Sequence, residues 1–156
     1  MEYEYSYKVT DLTEYENLVK SKYEFKDEYV EKRIIYRNRA NKTIARISII
    51  NEQMYLDFKE DQVYDNGSIT RNESKQIKVD NLDACEDILS FLHYEKDNTL
   101  LRTRSIYESE NIKFEIDKYI EPNTVYVFSF EGDKNTCDTF NEQIKELNEK
   151  YMIKED

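Results

Sequence analysis

The chain predicts an α+β fold built on an eight-stranded antiparallel β-barrel, a tunnel, with about three flanking helices. Extended segments with period-two alternation recur from the first residues almost to the last. One side of nearly every such segment carries charges of both signs, and the other carries Tyr, Phe, Ile or Leu. Helical segments with an apolar stripe lie between them, available to cover the apolar side.

The opening segment sets the pattern. Glu2, Glu4, Ser6 and Lys8 alternate with Tyr3, Tyr5 and Tyr7, so a strand over Glu2 to Val9 puts its charges on one face and its aromatics on the other. Thr13 and Glu16 have the spacing of a capping box and predict a helix through about Lys22. Strands are expected over Lys32 to Asn38, Thr43 to Ile50 and Met54 to Glu60. The turn Asp65-Asn66-Gly67-Ser68 then leads into another over Ile69 to Val79. A helix over Leu82 to His93 gathers Leu82, Cys85, Ile88, Leu89 and Leu92 on one side. Strands over Leu100 to Tyr107, Ile112 to Tyr119 and Thr124 to Glu131 follow. A closing helix from about Asn135 to Tyr151 stripes Phe140, Ile144, Leu147 and Tyr151.

Parity along these strands returns the same chemistry. Arg46 and Ser48 share a face, as do Asp57 with Lys59, and Arg71 with Glu73 and Lys75. So do Arg102 with Arg104, Lys113 with Glu115 and Asp117, and Ser129 with Glu131. In an open sheet this face would meet solvent, where mixed charges aid solubility. In a closed barrel it would line the lumen, with the apolar face packed outward under the helices. The amphipathic helices favour the barrel.

At 156 residues the chain is expected to form one domain, 1–156, large enough for a core. Its 14 Tyr and 7 Phe set it apart from disordered sequences despite 37% charged residues. A net charge of −11 argues against duplex nucleic acid and anionic membranes as partners, so an anionic ligand must enter a local basic pocket. No apolar window approaches a membrane span, and the N-terminus lacks a secretory pattern, so a cytoplasmic location is expected. With 2 Gly there is no glycine-rich phosphate loop. Cys85 and Cys137 form no metal or redox motif, and His93, the lone histidine, reads as structural.

A charged lumen is costly to desolvate unless its charges are paired or occupied. Arginines and lysines around a cavity suit phosphate oxygens, and clustered carboxylates suit hard cations such as Mg2+ or Mn2+. Together these describe a site for a metal-bound polyphosphate.

The order of the charged motifs resembles the CYTH superfamily, the triphosphate tunnel metalloenzymes. The counterparts are Glu4-Tyr5-Ser6-Tyr7-Lys8, Ala45-Arg46-Ile47-Ser48, Leu56-Asp57-Phe58-Lys59, Arg71-Asn72-Glu73, Arg102-Thr103-Arg104, Glu115-Ile116-Asp117 and Ser129-Phe130-Glu131. The resemblance implies a tunnel that takes a triphosphate end-on and a metal-dependent phosphohydrolase acting on tripolyphosphate or a nucleoside or other organic triphosphate. Phosphate would be bound by Lys8, Arg46, Lys59, Arg71, Arg102 and Arg104, and a divalent ion, Mg2+ or Mn2+, by Glu2, Glu4, Glu73, Glu115, Asp117 and Glu131. Glu4, Lys8 and Arg104 would carry the catalysis. Three positions depart from the pattern: Ser6 and Ser129 stand where carboxylates are expected, and Ser48 stands where an arginine is expected. These departures support the alternative, a binding protein for nucleotides or phosphorylated small molecules on the same fold.

Overall fold

Residues 2–154 are described in a computed structural model of the chain, with the Glu2 side chain outside that description. The chain runs β1 (Glu2–Val9), α1 (Thr13–Lys22), β2 (Glu24–Asn38), β3 (Ile44–Ile50), β4 (Gln53–Val63), β5 (Ile69–Glu73) and β6 (Ile77–Val79). It continues α2 (Leu82–Phe91), β7 (Tyr94–Glu108), β8 (Ile112–Glu121), β9 (Val125–Gly132), α3 (Lys134–Gln143) and α4 (Lys145–Tyr151). The strands run β3-β2-β7-β8-β9-β1-β5-β4, and a β3–β4 pairing closes them into an eight-stranded antiparallel barrel. Short β6 pairs with the first half of β4, through Met54, Tyr55 and Leu56, while β5 pairs with the second half, from Lys59 to Val63.

The expected barrel is present, with different boundaries. β2 begins at Glu24 rather than Lys32, and β7 at Tyr94 rather than Leu100. These long strands pair along their whole length, so register with a partner extends both beyond the segments that alternate cleanly. The segment expected as one strand over Ile69 to Val79 breaks into β5 and β6, and Lys75 falls in the exposed connection, off the lumen face. The closing helix breaks at Ile144 into α3 and α4, giving four helices among the described residues. Thr13 lies inside α1 rather than at its cap, and Asp11 Oδ1 instead accepts the Thr13 N–H at 2.8 Å.

Two cores cover separate parts of the barrel's outer face. Tyr5, Phe114, Phe128 and Phe130 from β1, β8 and β9 pack with Tyr15 and Val19 of α1, Phe140 of α3, and Ile144. Each such buried aromatic contributes roughly 1.5–3 kcal/mol by removal from water. The alternate tyrosines of β1 also send hydroxyls to the helices: Tyr5 donates to Asp138 at 2.7 Å and Tyr7 donates to Asn141. The second core joins Ile34, Tyr36, Ala45, Ile47, Leu56 and Val79 to Leu89 of α2. Of the stripe expected on α2, Leu82, Cys85 and Leu89 face this core, whereas Ile88 and Leu92 are exposed. With hydrophobic side chains committed to the outside, the opposite parity of every barrel strand is left to form the lumen. No described helix is long and apolar enough to cross a membrane.

Candidate functional site

The lumen holds two adjoining hollows. The larger, about 500 Å³, opens at the end of the barrel carrying Asp27, Tyr29, Asn51, Gln53, Tyr55 and Gln76. The smaller, about 240 Å³, lies toward Ser6, Arg37, Ile44, Lys59, Leu100 and Ser129. Arg33, Arg46, Arg71, Arg104 and Glu115 line both and form a waist between them.

Antiparallel register explains how these groups meet. Asp57 lies opposite Arg46, and Asp61 opposite Arg71. Glu31 lies opposite Arg102, and Asp117 opposite Arg104. Each of these four arginines therefore finds a carboxylate on the adjacent strand. Arg46 donates to both oxygens of Asp57, Nε at 2.9 Å and Nη2 at 2.7 Å, and Nη2 also reaches Glu73 Oε1 at 3.1 Å. Arg71 lies 3.1 Å from Asp61 and 3.2 Å from Glu4. Arg104 binds Asp117 through Nε and Nη2, both at 2.8 Å, and its Nη1 pairs with Glu115. Arg102 donates to Glu31 at 2.8 and 2.6 Å and to the Tyr119 hydroxyl at 2.8 Å.

Electrostatics follow from this pairing. Burial alone would raise the Glu31 carboxyl, but the charges of Arg33, Arg102 and Arg104 hold it down to about 2. Burial opposes the charge on Arg104, and Glu115 and Asp117 overcome that, keeping the guanidinium firmly protonated. Glu4 behaves differently. Burial pushes its carboxyl up to about 7 despite Arg71, with the charge of Glu115 adding to the rise. Glu4 Oε2 is within ion-pair distance of Arg71 yet has no partner in hydrogen-bond geometry.

The structure brings together Arg46, Lys59, Arg71, Arg102 and Arg104 with Glu4, Glu73, Glu115, Asp117 and Glu131 around the two hollows. Lys8 stands apart, exposed on a neighbouring hollow with Tyr7, Met152 and Ile153, beyond the end of the lumen marked by Ser6. The Glu2 side chain, expected among metal ligands, lies outside the described residues. Ser6 and Ser129 are cross-strand neighbours whose hydroxyls hydrogen-bond at 2.9 Å. On the strands to either side, Glu115 faces Ser129 in the β8–β9 register.

Sequence reading missed Glu31, Arg33 and Asp61. Asp61 lies just past the expected end of its strand and continues the parity of Asp57 and Lys59, a usable signal. Glu31 and Arg33 were concealed because Glu28 and Lys32 on the outer face of β2 make that stretch polar on both sides.

Among the described residues, no three His, Cys, Asp or Glu side chains converge so as to hold a metal ion. The carboxylates are taken up by arginines, or by Lys113 for Glu131, and as they stand they do not fit a resident divalent cation. The arrangement is suited instead to anion exchange. A guanidinium that holds a carboxylate in a two-point fork presents the same donors to a phosphoryl group.

No family model and no curated protein matches the chain. Solved structures do. HpAC1 of Hippeastrum, described as an adenylyl cyclase candidate with a dominant triphosphatase activity, superposes with a TM-score of 0.71 at 12% identity, over 100% of this chain and 92% of that one. A protein of Vibrio parahaemolyticus, described as an adenylate cyclase candidate, gives a TM-score of 0.62 at 16% identity, over 95% and 86%. A chain of the Schizosaccharomyces pombe Mediator head module gives 0.66 at 10% identity, over 97% and 98%. At such identities the likeness is one of fold. The chain has the tunnel fold that its resemblance to the CYTH superfamily implies.

Proposed function

We propose that the tunnel captures the triphosphate group of a small molecule, a tripolyphosphate or a nucleoside or other organic triphosphate. One observation carries the reading: guanidinium groups of Arg46, Arg71 and Arg104 gather at a waist open to both hollows, each already engaged by carboxylates. Phosphoryl oxygens entering there replace carboxylate oxygens on the same donors, with Lys59 adding a cation in the smaller hollow. The displaced carboxylates must be neutralised, and Glu4 does so by taking a proton, since its carboxyl already titrates at about 7. Arg102, held by Glu31, Asp117 and Tyr119, supports the wall rather than gripping ligand. The two free cysteines accord with a cytoplasmic location.

A second reading, hydrolysis of the same triphosphates with Mg2+ or Mn2+, is favoured by the activity described for HpAC1. Glu4, Glu73, Glu115, Asp117 and Glu131 would then have to leave the cations they pair with to hold a metal, and Glu4 and Arg104 would stand nearest the chemistry, with Lys8 beyond the end of the lumen. The adjacent hydroxyls of Ser6 and Ser129 argue for slow turnover, because a hydroxyl is a poorer ligand for a hard cation than a carboxylate. Calorimetric titration with tripolyphosphate and with ATP, with and without Mg2+ or Mn2+, separates the two when paired with an assay of released phosphate. Saturable binding without metal and little release supports capture. Rapid release at low metal concentration supports the enzyme, and absence of binding under every condition removes both.

A further inference from the structure

The arginines of the waist are not equally satisfied. Arg46, Arg71 and Arg104 each contact at least two carboxylates. Arg33 on β2 contacts one, Glu31, through Nη2 at 3.1 Å, and that carboxylate is already committed to Arg102. Arg33 Nε is buried with no hydrogen-bond partner. The cross-strand neighbours of Arg33 are Ser48 on β3 and Leu100 on β7, and neither offers a charge.

We propose that Arg33 is a ligand-binding residue, supplying guanidinium donors to an anionic oxygen at the waist and standing in for the arginine that is replaced by Ser48. The proposal rests on the triphosphate reading for the identity of the ligand. Its geometric basis is independent: a guanidinium with 15% exposure of its side chain, lining both hollows and under-satisfied by protein. Burial and the like charge of Arg102 lower Arg33 to about 10, the direction expected of a cation held without enough counter-charge. Such a group is retained at a cost to the empty protein and repaid on anion binding. Direct opposition in register places a guanidinium from either position 33 or position 48 on the same stretch of lumen wall.

The test compares the wild type with Arg33→Gln and with the double variant Arg33→Gln/Ser48→Arg. Thermal unfolding is measured without ligand, and tripolyphosphate is titrated calorimetrically without divalent metal. Arg33→Gln is expected to unfold at or above the wild-type midpoint while its Kd weakens about tenfold or more, the scale of one lost charge-assisted contact. Ser48→Arg is expected to recover most of the affinity. Wild-type Kd in Arg33→Gln would overturn the proposal. So would failure of that variant to fold, or a lowered midpoint, which would make Arg33 a structural residue. If the wild type takes up no tripolyphosphate, the triphosphate reading fails and sulfate becomes the probe. Sulfate binding that depends on Arg33 would then uphold the anion site, and its absence or independence of Arg33 would overturn it.

Discussion

Glu4 and Arg104 illustrate two fates of a buried charge in one lumen. Glu4 has a folded-state carboxyl at about 7 against an ordinary 4.5, so between those values the folded protein binds a proton more tightly than the unfolded chain. Its contribution to stability is therefore fully present below 4.5 and is lost as pH rises through 7, a span worth roughly 3 kcal/mol. Glu4→Gln is expected to flatten the fall in stability over that window and to be more stable than wild type at pH 8. Denaturant unfolding at pH 5 and pH 8 measures this, and an unchanged slope would mean that Glu4 stays ionised. Glu31 has the opposite sign: its carboxyl is depressed to about 2, so its contribution is lost as pH falls toward that value. Arg104 is the counterpart with full pairing. Arg104→Ala strands Glu115 and weakens the hold on Asp117, both buried, and is expected to cost about 3–5 kcal/mol in urea unfolding.

Among the elements, those with a single polar face were legible. β1, β3, β8 and β9 alternate cleanly because one face packs on a core and the other lines the lumen, and their expected spans lie close to the observed ones. β2 and the start of β7 were not legible, because outward positions there carry Glu28, Lys32 and Lys96 and the apolar signal vanishes. The break between α3 and α4 leaves no composition mark, since Phe140, Ile144, Leu147 and Tyr151 keep their stripe across it. Turn chemistry offers two opposed tests. The two-residue β3–β4 turn has Asn51 at φ 52° and Glu52 at φ 68°, the left-handed pair that suits Asn-Gly. Glu52→Gly is expected to stabilise by about 1 kcal/mol, read from the shift in denaturation midpoint. Gly132 sits at φ 146°, where an added Cβ would lie 2.2 Å from the Asn111 carbonyl oxygen. Gly132→Ala should therefore lower the midpoint and disturb the end of β9, where Asp133 caps α3.

At the scale of the molecule, a chain of net charge −11 concentrates arginine at one constriction, the local basic site that the proposed anion capture requires. The sequence carried the sign alternation that foretold this lumen, and five of the six expected phosphate-binding residues line it. It did not carry the pairing partners, which depend on register across strands distant in sequence, as with Glu31 and Arg102. Under the proposed hydrolytic reading, competence turns on the hydroxyl pair. Ser6→Glu with Ser129→Glu places new carboxylates beside Glu115, Glu4 and Glu131 and is expected to raise phosphate release and lower the metal concentration required. Vigorous wild-type release at low metal would show that the serines do not limit the site. The most direct test of the central claim is metal-free calorimetric titration with tripolyphosphate in two buffers of different ionisation enthalpy near pH 7. Capture at the waist is expected to give saturable one-to-one binding that weakens with salt and takes up protons as Glu4 neutralises. Absence of binding, or binding unchanged when Arg46 and Arg71 are both replaced by glutamine, would contradict it.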